Sequence, residues 1–127
     1  MSLRLAQSRV LAFHKAFDLG IGDESEPAIK SGDLRIALIE EEAREFRDAV
    51  EAGDLVAAVD ALADLLYVTL GSAVEFGVDM GPVFSEVHLS NMEKTGGTLS
   101  PTGKLLKPPG WKPPDVAGCL ERQRRKL

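Results

Sequence analysis

The sequence is poor in the residues that build disulfide frameworks and soft-metal sites, with one cysteine and two histidines, and it holds one tryptophan and one tyrosine in 127 residues. A single cysteine, Cys119, excludes an internal disulfide and a multi-cysteine zinc site, and no role is assigned to the thiol. The histidines make no ligand motif. His14 and His88 follow Leu11 and Ser85 by three residues, where a di-iron bundle would carry glutamate, so each reads as a surface or interhelical hydrogen-bonding residue. Long uncharged apolar runs are also missing. None approaches the roughly 18 residues of a membrane span, and Arg4, Arg9 and Lys15 interrupt the N-terminal stretch where a secretory signal needs an unbroken apolar core. A cytoplasmic protein with no membrane partner is the expectation. GGTLSPTGK has neither the glycine spacing nor the preceding strand of a phosphate-binding Walker loop.

What is there is a chain 44% apolar and 28% charged, long enough for one globular domain over residues 1–127. The net charge of −5 hides a division: every acidic group except Asp115 and Glu121 lies in residues 1–93, and more than half of the 15 Lys and Arg lie in 94–127. Apolar spacing predicts a helix from about Leu3 to Leu19 and a second, capped by Ser31 or Asp33, that runs to Gly53. Asp54 caps a third from about Leu55 to Phe76, apolar nearly all round. Asp79 caps a fourth that ends near Met92 and tolerates Pro82 in its first turn. No strand is expected. From Thr95 the text changes to TGGTLSPTGKLLKPPGWKPPD, whose glycines and prolines forbid a regular helix, before Asp115 caps a short last one. The expected architecture is all-α: four main helices over about 3–94, then a Gly/Pro/Lys-rich loop and tail over about 95–127. The apolar surfaces of helices one, three and four exceed what a monomer of this size can cover, which points to a homodimer or a dimer of dimers.

Two acidic clusters interrupt apolar helix faces. At about 100° per residue, Glu42 and Glu45 lie about +40° and −20° from Leu38 on the second helix, Glu41 on the edge at about −60°, and Glu40 nearly opposite. On the third helix Asp60 and Asp64 sit about 40° apart, one turn removed. Carboxylates in a packed interior need a counter-charge, and Arg35, Arg44 and Arg47 are too few and mostly off that face. All-oxygen ligation favours a hard divalent ion, Mg²⁺ or Mn²⁺.

LIEEEAREF, DALADLLYV, VHLSNMEKTGG and GKLLKPPGWKPPD together resemble the MazG-like all-α nucleoside triphosphate pyrophosphohydrolases, over roughly Leu34 to Asp115. The resemblance implies metal ligands at Glu42, Glu45 and Asp64. It departs at Ala61, where the family carries glutamate, and Asp60 stands as a shifted substitute. It implies hydrolysis of a nucleoside triphosphate between its α and β phosphates, with Glu41 and Glu42 as the catalytic carboxylates and Glu41 the candidate to activate water. The substrate is expected to be a deoxynucleoside or non-standard triphosphate. Asn91, Lys94, Lys104 and Lys107 are the candidate phosphate ligands. Trp111 is either a base-stacking residue or a loop anchor, and Tyr67 core or site wall. Phosphoribosyl-ATP is the rival substrate, and a helical nucleotide-binding or dimerisation module that has lost catalysis at Ala61 is the non-enzymatic alternative. The expected partners are a nucleotide and a second copy of the chain, not a nucleic acid polymer.

Overall fold

The computed structural model describes residues 1–126 and holds five helices: α1 (Leu3–Ala16), α2 (Gly32–Glu51), α3 (Leu55–Phe76), α4 (Met80–Met92) and α5 (Val116–Arg125). Among the described residues the one piece of β pairing is an isolated antiparallel bridge, Leu99 with Leu105, in the loop before α5. The chain is all-α, as its apolar spacing requires.

Capping sets most of the helix starts. The carboxylates of Asp54, Asp79 and Asp115 accept backbone N–H bonds from Ala57, Gly81 and Gly118 at 2.9–3.0 Å, and Ser2 caps α1 by accepting from Leu5 N at 3.1 Å. Ser31 departs from expectation: it occupies the N-cap of α2 in a left-handed conformation (φ 53°) and makes no side-chain cap bond, leaving Asp33 in the first turn to meet the positive helix end. Helix α1 stops at Ala16 rather than Leu19, because Asp18 turns left-handed (φ 55°) and Leu19 N–H returns to His14 O at 2.8 Å. Gly77 closes α3 at φ 73°, a conformation that costs glycine little.

Helices α2 and α3 form an antiparallel hairpin, α1 lies across the second half of α3 and against α4, and α5 packs on α4. The apolar centre is small: Val10, Leu70 and Val74, with Leu3, Ala6, Leu11 and Met80 around them. Beside it lies a buried polar knot. Arg35 of α2 donates to Glu75 Oε2 (3.1 Å), Ser72 Oγ (2.9 Å) and Val68 O (2.8 Å), all on α3. His14, 3% exposed, bonds through Nδ1 to Gly20 O at 2.7 Å next to it. Gly71 makes room for this contact, since a Cβ there would stand 2.6 Å from Arg35 Nη2. Three bonds in different directions from one guanidinium fix the register of α2 on α3. Glu42 is two turns beyond Arg35 on one helix, and Asp64 is about two turns before Ser72 on the other. The knot therefore determines which carboxylates meet.

The outer side of the hairpin is bare. On α3, Leu55, Val59, Leu62 and Leu66 repeat at four- and three-residue intervals, all exposed, with Leu55 at 75% and Leu66 at 63%. The same side further along, at Leu70 and Ala73, is buried. On α2, Ile36, Ile39 and Val50 are exposed as well. By length and composition α3 could cross a membrane (mean hydropathy 1.6 over an 18-residue window), although Asp60 and Asp64 lie on it.

Candidate active site

Midway along the hairpin, Glu42 and Glu45 from α2 and Asp64 from α3 each bring a carboxylate oxygen within 4.8 Å of the others. Local sequence explains the convergence. Ala49 and Ala61 are both buried at the α2–α3 seam, Ala61 to 2% exposure, and their small side chains let the backbones approach closely enough for longer acidic side chains one turn away to touch. Glu42 and Asp64 are half-buried and Glu45 is exposed, so the cluster opens to solvent on one side.

The electrostatics are those of a site short of positive charge. Glu42 Oε2 is shielded from solvent and has no hydrogen-bond partner. Its carboxyl is pushed up to about 7, first by desolvation, then by the hydrogen bond it shares with Glu45 and by repulsion from Glu45, Asp64 and Glu41. No ion pair among the described residues reaches Glu42, Glu45 or Asp64; Arg35 is engaged with Glu75 and Arg47 with Glu51, and Arg44 forms no ion pair among the described residues. A shielded oxygen without a partner, in a set of three hard oxygen donors open on one side, fits a divalent cation that completes its shell with water or substrate oxygens.

Asp60 does not join the group. The α3 side facing α2 is marked by buried Ala61, and position 60 lies about 100° round the helix from it, on the rim. The shifted-ligand expectation is corrected accordingly: three carboxylates converge, not four. Glu41 is exposed and close enough to raise Glu42, on the solvent side of the cluster. Tyr67, less than a turn past Asp64, packs edge-on against Phe13 (5.5 Å between centroids, 82°), and Phe13 in turn meets Phe17 at 4.9 Å. Tyr67 thus belongs to an aromatic wall shared with the end of α1. Phe13 and Phe17 reach this wall through the packing of α1, which their own spacing does not reveal.

The basic residues gather at a different place. Asn91 is exposed on the last turn of α4, and Lys104 and Lys107 are exposed on the following loop. Trp111 is fixed to α4 by its indole Nε1–H, which donates to Ser90 O at 2.8 Å, while Ser90 Oγ donates to Lys112 O at 3.0 Å. These bonds tie the loop to the end of α4. The Nζ atoms of Lys94 and Lys107 lie 5.1 and 5.0 Å from the Trp111 ring centroid. Helix α4 has α1 and α5 as its main packing partners, and among the described residues no ion pair joins the loop lysines to the hairpin carboxylates. A cavity of about 410 Å³ between α1 and the end of α3 is lined by neither set.

The chain is 37% identical over 86 residues to an uncharacterized protein of Acanthamoeba polyphaga mimivirus, an overlap of 65% of this chain and 29% of that longer protein. A family model described as phosphoribosyl-ATP pyrophosphohydrolase matches residues 10–91, which include α2, α3 and all three converging carboxylates. The chain belongs to this MazG-like all-α family of phosphoribosyl-ATP pyrophosphohydrolases.

Proposed function

We propose that the protein is a divalent-cation-dependent nucleotide pyrophosphohydrolase, which adds water across the α–β anhydride of a nucleoside triphosphate to give a monophosphate and pyrophosphate. The observation that carries this reading is the meeting of Glu42, Glu45 and Asp64 around a shielded oxygen with no partner. These three residues would hold Mg²⁺ or Mn²⁺. A bound cation supplies positive charge that offsets the polyphosphate and the negative charge developing on the transferring group. The remaining chemistry falls to the chain. Glu41, exposed beside the cluster, accepts the proton of the attacking water. Tyr67, less than a turn from Asp64 and packed on Phe13, forms the wall beside the site. Asn91, Lys94, Lys104 and Lys107, which lie apart from the carboxylates, bind the phosphates where the loop of this chain or of a second copy meets the cluster.

The bare stripe Leu55, Val59, Leu62 and Leu66 fits a second copy of the chain. Exposed leucines at alternating four- and three-residue spacing are the surface that a helix from another subunit covers. This is the basis for proposing a homodimer, or a dimer of dimers, as the working form.

We favour a deoxynucleoside or non-standard triphosphate as substrate. Phosphoribosyl-ATP is the second reading, supported by the description of the matching family. Pyrophosphate release from both substrate types, in Mg²⁺ and in Mn²⁺, separates them. Turnover that persists in Glu42→Gln and in EDTA would remove the metal mechanism. Nucleotide binding with no cleavage of any substrate would leave the binding-module alternative standing.

A further inference from the structure

The loop after α4 places two ammonium groups on one aromatic ring and gives them no carboxylate. Lys94, at the end of α4, and Lys107, after the Leu99–Leu105 bridge, both lie about 5 Å from the Trp111 centroid. No acidic residue occurs between Glu93 and Asp115, and neither lysine is in an ion pair among the described residues. Two like charges held together are unfavourable unless something offsets them. The indole π-face offsets part, and a polyanion bridging both lysines would offset the rest. The ring itself cannot drift, because Nε1–H is bonded to Ser90 O and the Trp111 backbone N–H to Pro108 O at 3.1 Å.

We infer that Trp111 is a positioning residue that gathers Lys94 and Lys107 into one dicationic unit for the pyrophosphate portion of a nucleotide. This rests on the phosphate-binding reading above and adds what assembles that site. The lysines stand far apart in sequence, and the loop between them has no repeating structure to orient them. The indole does so by holding both ammonium groups about 5 Å from its centroid. The unit is complete within one chain and independent of the hairpin carboxylates, so its anion affinity is measurable without a cation.

Inorganic pyrophosphate in EDTA is the probe, with the full chain throughout. Trp111 is the sole tryptophan, so intrinsic fluorescence reports on this ring alone. Pyrophosphate should shift that fluorescence saturably in the wild type and in Glu42→Gln, and Lys94→Met and Lys107→Met should each weaken binding about tenfold. By calorimetry, Trp111→Phe, which keeps a π-face, should bind within about threefold of wild type, and Trp111→Leu about tenfold more weakly. Three results would overturn the inference: fluorescence that does not respond to saturating pyrophosphate, Trp111→Leu that folds by circular dichroism and binds as wild type, or Trp111→Phe as weak as Trp111→Leu. The last would assign the effect to the lost bond to Ser90 rather than to the ring. If Trp111→Leu does not fold, the lysine variants and the wild-type fluorescence decide. Failure of the metal-site reading shows separately, as cleavage by Glu42→Gln at the wild-type rate.

Discussion

Proton occupancy of the carboxylate cluster should control cation binding. In the metal-free protein Glu42 holds its proton up to about pH 7, raised from 4.5. Between these values the folded chain carries a proton that the unfolded chain has lost. The difference in bound protons, unfolded minus folded, is therefore negative, and this group makes stability fall as pH rises through that window. Above about 7 both states are ionised and the folded state bears the full repulsion among Glu42, Glu45, Asp64 and Glu41. A divalent cation acts in the opposite sense, because it binds the ionised carboxylate and displaces the proton. Affinity should level off above about pH 7 and fall about tenfold per pH unit below it, making binding at pH 6 roughly tenfold weaker than at pH 8. Calorimetric titration with Mn²⁺ at pH 6, 7 and 8, in buffers of different ionisation enthalpy, measures both the affinity and the protons released. Close to one proton should leave at pH 6 and close to none at pH 8. In Glu42→Gln the slope should flatten and affinity at pH 8 should drop at least about tenfold. Affinity constant within about twofold from pH 6 to 8, with no proton released, would show that Glu42 is already ionised in the free protein and would refute this account of the cluster.

Asp64→Asn should weaken Mn²⁺ binding by about tenfold or more, whereas Asp60→Asn should stay within about threefold; equal losses in the same titration would place Asp60 among the ligands after all. Glu75→Ala strands the buried Arg35 guanidinium and should cost about 3–5 kcal/mol in urea unfolding, and a loss under about 1 kcal/mol would mean that the knot does not hold the hairpin. Leu62→Glu, at an exposed position in the middle of the bare stripe, should leave helical content unchanged and shift the sedimentation coefficient from dimer to monomer. A monomeric wild type at micromolar concentration would remove the basis for that prediction.

Much of this arrangement was legible because helices convert spacing into direction. Glu42 and Glu45 could be placed on the apolar seam of α2 from the 100° step, Asp64 was singled out from Asp60 by the family resemblance, and Asp54, Asp79 and Asp115 were readable as caps from their position before apolar runs. The same rule shows why Asp60 was misplaced. A shift of one residue moves a side chain from the seam to the rim, and only the burial of Ala61 reveals which of the two directions is the seam. Ser31 failed as a cap for another reason: its backbone turns left-handed, which no side-chain pattern announces.

What stayed illegible depends on partners distant in the chain. Glu75 stands inside the apolar run GSAVEF, and a buried charge there asks for a cation, but Arg35 is 40 positions away and its own helix gave no sign that it pointed inward. Yet that pair fixes the register on which the carboxylates depend. A slip of α2 by one residue against α3 would move its side chains about 1.5 Å along the axis and 100° around it, enough to turn Glu42 away from Asp64. The metal site and the stability of the hairpin are thus coupled through Arg35. Variants of the knot should lose cation affinity as well as stability, although none of its atoms belongs to the carboxylate cluster.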